Sequence, residues 1–183
     1  ELSNINKKLK EDSYLYLAKS YQSVNQLDSA IFYYDSIMYF TKSIAAAESK
    51  YHICEIAFKR KNHELCESLI MELVQQKPSY DYWLAKGILL LGDNFTAQND
   101  YFNAKHSVES IIDNYDGFNK KELIEEAVIK LESIKKLELD ELLDEPVQQE
   151  MEIDLDPLEE NSSDENIEIN KVNATENNQD ENK

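Results

Sequence analysis

A small residue set among bulky ones recurs three times along this chain, and each time a second small residue follows twelve positions later. Leu17-Ala18-x-x-Tyr21 leads to Ala30 and then Tyr34. Ile53-Cys54-x-x-Ala57 leads to Cys66 and Ile70, with Pro78 closing the unit. Leu91-Gly92-x-x-Phe95 leads to Ala104 and Val108. Three recurrences at one interval define an internal repeat. Repeated units must stack, because none of them can bury its apolar face alone.

Composition narrows what the unit can be. Gly 3 and Pro 3 in 183 residues leave too few turn formers for a multi-stranded sheet, so the units read as helical. The chain carries a net charge of −18, unevenly spread. Residues 1–139 have a net charge of −4. Residues 140–183 have a net charge of −14, with Lys171 and Lys183 their only basic side chains. Such a field disfavours nucleic acid, which is gripped by Lys and Arg at phosphates, and equally an anionic membrane surface. No run of eighteen apolar residues is present, so no segment inserts into a bilayer as a helix. The first residue is Glu1 and no signal peptide follows it, which reads as a processing boundary with more protein upstream.

The order of a large apolar residue, a small one, an aromatic, a second small one, a bulky one and then Pro resembles the tetratricopeptide (TPR) pattern, with repeats at 11–44, 47–80 and 85–118. The resemblance implies an all-α solenoid of helical hairpins. Each hairpin would cross at its small residues: Ala18 with Ala30, Cys54 with Cys66, Gly92 with Ala104. Asn25 and Asn99 fall where the family prefers Gly, and Asn tolerates left-handed backbone well. Gln98-Asn99-Asp100-Tyr101 is similar to the family's turn, and Pro78 and Gly117 mark the ends of outgoing helices.

Outside the repeats, residues 1–10 read as the end of an upstream helix. Residues 119–143 read as a capping helix, with Leu123, Ile124, Ala127, Val128, Leu131 and Ile134 on one stripe and Asn119 with Glu122 as a capping box. Residues 144–183 read as a disordered acidic tail, too poor in bulky apolar residues to offset the entropy of ordering. Within it, Met151-Glu-Ile-Asp-Leu-Asp-Pro-Leu158 alternates acidic and apolar residues. It is either a short binding peptide or part of a solubilising tail.

Chemistry is sparse. His52-x-Cys54 and His63-x-x-Cys66 hold zinc-type side chains without the spacing of a zinc site, so no metal is expected and the cysteines read as small buried residues, with a disulfide across the crossing as the alternative. No nucleophile motif, phosphate-binding glycine loop or cofactor signature occurs, so the chain is not expected to be an enzyme or to need a cofactor. Tyr80, Tyr82 and Trp83 open the third repeat, beside Ser79 and Asp81 as alternative helix caps. The rings either pack on the second repeat or anchor a partner.

By resemblance, the first helix of each repeat lines a concave groove for a peptide or protein partner. The implied groove residues are Asp12, Leu15, Lys19, Gln22 and Ser23, then Glu48, Tyr51, Glu55, Phe58 and Lys59, then Lys86, Leu89, Asp93, Thr96 and Ala97. Leu15 and Glu55 stand where co-chaperone members carry a basic carboxylate clamp, so that clamp is absent. The stretch from Ala47 to Tyr115 also resembles the closing repeats of bacterial envelope TPR proteins. The expected function is therefore a non-catalytic interaction scaffold in the bacterial periplasm or envelope. The alternatives are a cytoplasmic sensor region of a larger signalling protein and a structural spacer. Deleting residues 145–183 should leave helicity and the thermal midpoint unchanged, measured by circular dichroism, because the segment supplies no core.

Overall fold

The computed structural model describes residues 2–144, which form seven helices joined by short turns, with no strand among them. The helices are α1 (Leu2–Ser23), α2 (Leu27–Phe40), α3 (Ile44–Lys59), α4 (His63–Gln75), α5 (Asp81–Thr96), α6 (Tyr101–Asn114) and α7 (Lys120–Asp144). The tail assigned to 144–183, with its acidic and apolar stretch at 151–158, lies beyond the described residues apart from Asp144, which ends α7.

Three of the turns close in the same way. After α1 the N–H of Gln26 donates to the Tyr21 carbonyl at 2.9 Å and that of Asn25 to the Gln22 carbonyl at 3.0 Å. After α3 the pair is Asn62 to Ala57 at 2.9 Å and Lys61 to Phe58 at 2.8 Å. After α5 it is Asp100 to Phe95 at 2.9 Å and Asn99 to Thr96 at 3.1 Å. Two such bonds satisfy the orphan carbonyls at a helix end, provided one residue is left-handed. Asn25, Lys61 and Asn99 take that role, with φ of 60°, 58° and 58°. Lys61 lacks the short polar side chain that eases this conformation, so it carries a strain on the order of 1 kcal/mol. The next residue already caps the following helix. Asn62 accepts from the Leu65 N–H at 3.2 Å and Asp100 from the Asn103 N–H at 3.1 Å. So tight a reversal lays each helix antiparallel to its predecessor.

The small residues then decide how closely the two helices approach. Ala18, Ala30, Cys54, Cys66 and Ala104 are fully buried, and Gly92 is buried with them. One turn further along each second helix, Tyr34, Ile70 and Val108 are also fully enclosed. At Gly92 the fit leaves no room: a Cβ there would lie 2.7 Å from Cγ2 of Val108.

Each helix packs on the next in sequence. In addition α1 meets α3, α3 meets α5 and α5 meets α7, whereas α2, α4 and α6 do not touch one another. The odd-numbered helices therefore form one continuous layer with the even-numbered ones outside it. We call this layer of odd-numbered helices the inner layer. Its last member is α7, which seals the third hairpin by burying Leu123, Ala127 and Ile134 against Leu89, Val108 and Ile111.

Three details differ from the sequence reading. Residues 2–10 are not a separate element but run without a break into the first hairpin as part of α1. Neither Ser79 nor Asp81 caps α5. Tyr80 holds the cap position without a side-chain bond, Asp81 is already helical, and the Ser79 hydroxyl donates to the Asp81 carboxylate at 2.8 Å. Helices α4 and α6 stop at Gln75 and Asn114, short of Pro78 and Gly117.

The two glycines of α5 should respond oppositely to alanine. At Gly87 an added Cβ meets only Leu73 Cδ1 at 3.4 Å and Ile70 at 3.8 Å. Gly87→Ala should therefore raise stability by up to about 1 kcal/mol through helix propensity. Gly92→Ala should lower it by about 1–3 kcal/mol by forcing Val108 aside. Urea denaturation of the two variants checks the pair, and similar midpoints would contradict the crossing at Gly92.

Candidate functional site

The inner layer carries most of the polar side chains that bridge one hairpin to the next. From α1, Lys19 pairs with Glu48 of α3, and the Gln22 amide donates to the Glu55 carboxylate at 3.4 Å. Lys59 of α3 reaches back to the Asn25 side chain at 3.0 Å. Between α5 and α7, Lys86 pairs with Glu126 at 3.1 Å and Asp93 with Lys130 at 2.7 Å.

These contacts sort the groove residues expected from the sequence. Asp12, Leu15, Gln22, Phe58 and Thr96 are partly exposed, and Lys19, Ser23, Lys59 and Ala97 are exposed. Tyr51 and Leu89, expected on the groove wall, are 7% and 1% exposed and belong to the core. Lys86 and Asp93, expected to be open to a partner, are ion-paired to α7. The reason is one of packing. Helix α7 lies on α5 as α5 lies on α3, so the inner face of the third hairpin is itself a stacking surface.

The densest cluster sits between the first and second hairpins, around His52. Its Nδ1–H donates to Oε2 of Glu55 at 2.6 Å, and its Nε2 faces Oε1 of Glu48 at 3.8 Å, beyond hydrogen-bond reach. Tyr34 of α2 stacks on the imidazole with ring centroids 5.3 Å apart, and its hydroxyl donates to Gln22 Oε1 at 2.7 Å. Trp83 of α5 lies 5.8 Å from the same ring and 5.4 Å from Tyr51. Of the aromatic residues opening α5, Trp83 thus packs on the second hairpin, Tyr82 lies against Phe118 at 5.6 Å, and Tyr80 donates to the Lys42 carbonyl at 2.9 Å.

Burial and charge set the ionisation of this cluster. Burial raises the Tyr34 and Tyr51 hydroxyls far above their ordinary value, and the negative charge of Glu55 adds to it. Burial works against the charged forms of Glu48 and Glu55, but the charge of His52, with its hydrogen bond at Glu55 and with Lys19 beside Glu48, holds both carboxyls below the usual range. At His52 burial opposes the cation, and the two carboxylates outweigh it, so the imidazole titrates above its usual value.

A second buried polar group joins α4 to α5. Asn94 is fully enclosed with its amide bonds made. It donates to the His63 carbonyl at 3.3 Å and to Glu67 at 3.2 Å, and its oxygen faces His63 Nδ1 at 2.7 Å. An amide oxygen can only accept, so His63 carries its proton on Nδ1. Sequence reasoning weighed His52 and His63 only beside the cysteines and passed over Asn94. An Asn in the middle of a helix, facing inward on the stacking stripe, was the available signal.

Both cysteines are free and fully buried. Burial, followed by repulsion from Cys66, pushes the Cys54 thiol well up. Burial, then the charges of Glu67 and Asp93, pushes Cys66 up to about 12. Among the described residues no group of three His, Cys, Asp or Glu side chains is placed to hold a metal ion, and no helix is long and apolar enough to cross a membrane. Comparison with protein-family models, curated proteins and solved structures finds no match. Functional inference therefore rests on the geometry of the inner layer.

A protonated, shielded thiol is a poor nucleophile. Cys54 and Cys66 should react with a maleimide only after denaturation, as read by mass spectrometry. Rapid labelling of the folded chain would remove both from the helix crossing.

Proposed function

We propose that this chain is a non-catalytic interaction scaffold of the tetratricopeptide type, holding a peptide segment or protein surface along its inner layer. What carries the reading is the continuous face of odd-numbered helices, on which α1 and α3 leave side chains free of a covering helix. Leu15 and Phe58 offer apolar contact there, Asp12 and Ser23 offer polar contact, and Gln22 and Lys59 remain accessible while bonded to Glu55 and Asn25. Lys19 is exposed as well, although paired to Glu48. Thr96 and Ala97 stay accessible at the C-terminal end of α5, whereas α7 pairs with Lys86 and Asp93 of that helix. The mixed character suits a segment bound by several modest contacts rather than by one charged anchor.

The bacterial envelope is the proposed compartment, on the strength of the resemblance carried by residues 47–115. Recovery of the native protein in the cytosolic fraction would overturn that part.

A photo-crosslinking residue at Lys59, on the inner strip, should yield partner adducts in the native cell. The same residue at Met71, exposed on the outer helix α4, should not. Equal yields at the two positions, or none at Lys59, would overturn the groove reading.

A further inference from the structure

We infer that His52 is a proton-operated clamp between the first and second hairpins: its charged form holds the two carboxylates through which α3 grips α1, and its neutral form releases them. The inference rests on the cluster itself and stands whether or not the inner layer takes a partner.

The geometry makes His52 the shared member of two bridges. One runs from α3 through Glu55 to Gln22 of α1, and Gln22 in turn accepts from Tyr34 of α2. The other runs through Glu48 to Lys19 of α1. Glu48 and Glu55 flank the His52 ring from one turn before it and one turn after it, at 3.8 Å from Nε2 and 2.6 Å from Nδ1. Two carboxylates so placed repel each other unless a cation lies between them.

The other groups packed around the ring do not supply a competing switch. From its own helix, Tyr51 meets it edge-on at 5.3 Å. From α2, Tyr34 lies over it. From α5 come Trp83, which has no charge, and Lys86, whose ammonium lies 6.0 Å from the Tyr51 ring. Both tyrosine hydroxyls titrate far above neutrality, and both glutamates below their usual range. Within this cluster His52 is the side chain whose charge changes near neutral pH.

Losing the proton does more than cancel a charge. With Nδ1–H committed to Glu55, deprotonation leaves a lone pair on Nε2, a buried atom with no hydrogen-bond partner, facing the carboxylate of Glu48. Two acceptors then oppose each other in a poorly solvated site. Linkage gives the direction. A histidine whose folded-state value is raised adds stability that is complete below the unfolded value near 6.5 and is lost as pH rises through the higher folded value. The junction is therefore tight in mildly acidic solution and loosens as pH rises through the raised His52 value.

The full chain has three histidines, so proton NMR can follow each ring through a pH titration while amide exchange, corrected for its intrinsic pH dependence, reports on the helices. His52 should titrate above about 6.5, with exchange in α1 and α2 rising across that same transition and exchange in α5 to α7 unaffected by it. His52→Gln should abolish the step. Titration of His52 at or below the free value, or a step that survives in His52→Gln, would overturn the clamp. Should that variant fail to fold, Glu55→Gln provides the second measurement. It must lower the titration point of His52, and an unchanged point would overturn the proposal equally.

Discussion

Two helices can approach backbone to backbone only where no side chain holds them apart, and every hairpin of this protein depends on such a place. Ala18, Ala30, Cys54, Cys66, Gly92 and Ala104, a pair to each hairpin, are the buried small residues that permit it, and a Cβ on Gly92 would stand 3.5 Å from the Ala104 carbonyl. The turn brings the two members of each pair into register. In each hairpin the left-handed residue stands seven positions after the first small residue and five before the second. The two turn bonds fix the reversal, so the twelve-residue interval becomes a point of contact. Gly92 is the tightest case, since Val108 occupies the space that even a methyl group would need.

Close crossings make hairpins but do not decide how one hairpin rotates on the next. Apolar burial is largely non-directional, and several rotations would hide similar area. Polar contacts choose among them. Exposed ion pairs such as Arg60 with Asp28 add little energy each, on the order of 0–1 kcal/mol, but they penalise a wrong rotation. Asn94 is more demanding. Enclosed completely, it costs free energy in any arrangement that separates it from His63 and Glu67. The His52 cluster plays the same part between the first two hairpins, with charge as an added variable.

This double use of the inner layer explains why a groove inferred by position has to be revised. The side chains at the expected positions on α1, α3 and α5 are the ones that reach the neighbouring helix. Where a neighbour lies over them, as α7 lies over α5, they are spent on stacking. On α1 and α3, where no such helix lies over them, Leu15 and Phe58 stay partly exposed and Lys59 exposed.

The order and type of the helices, the left-handed positions at Asn25 and Asn99, and the burial of the six small residues were determined by the sequence alone. Each depends on residues within one hairpin, and its signal is a short, repeated interval. The continuity of residues 2–10 with α1 was missed because the repeat register marks a start without requiring the helix to begin there. Tertiary structure alone decided that Tyr51 and Leu89 are core, that Lys86 and Asp93 belong to α7, and that His52 sits between two carboxylates beneath Tyr34. These contacts depend on the rotation of whole hairpins against one another. A periodic pattern fixes which face of a helix is buried, but it leaves open which residue of a distant helix will meet it.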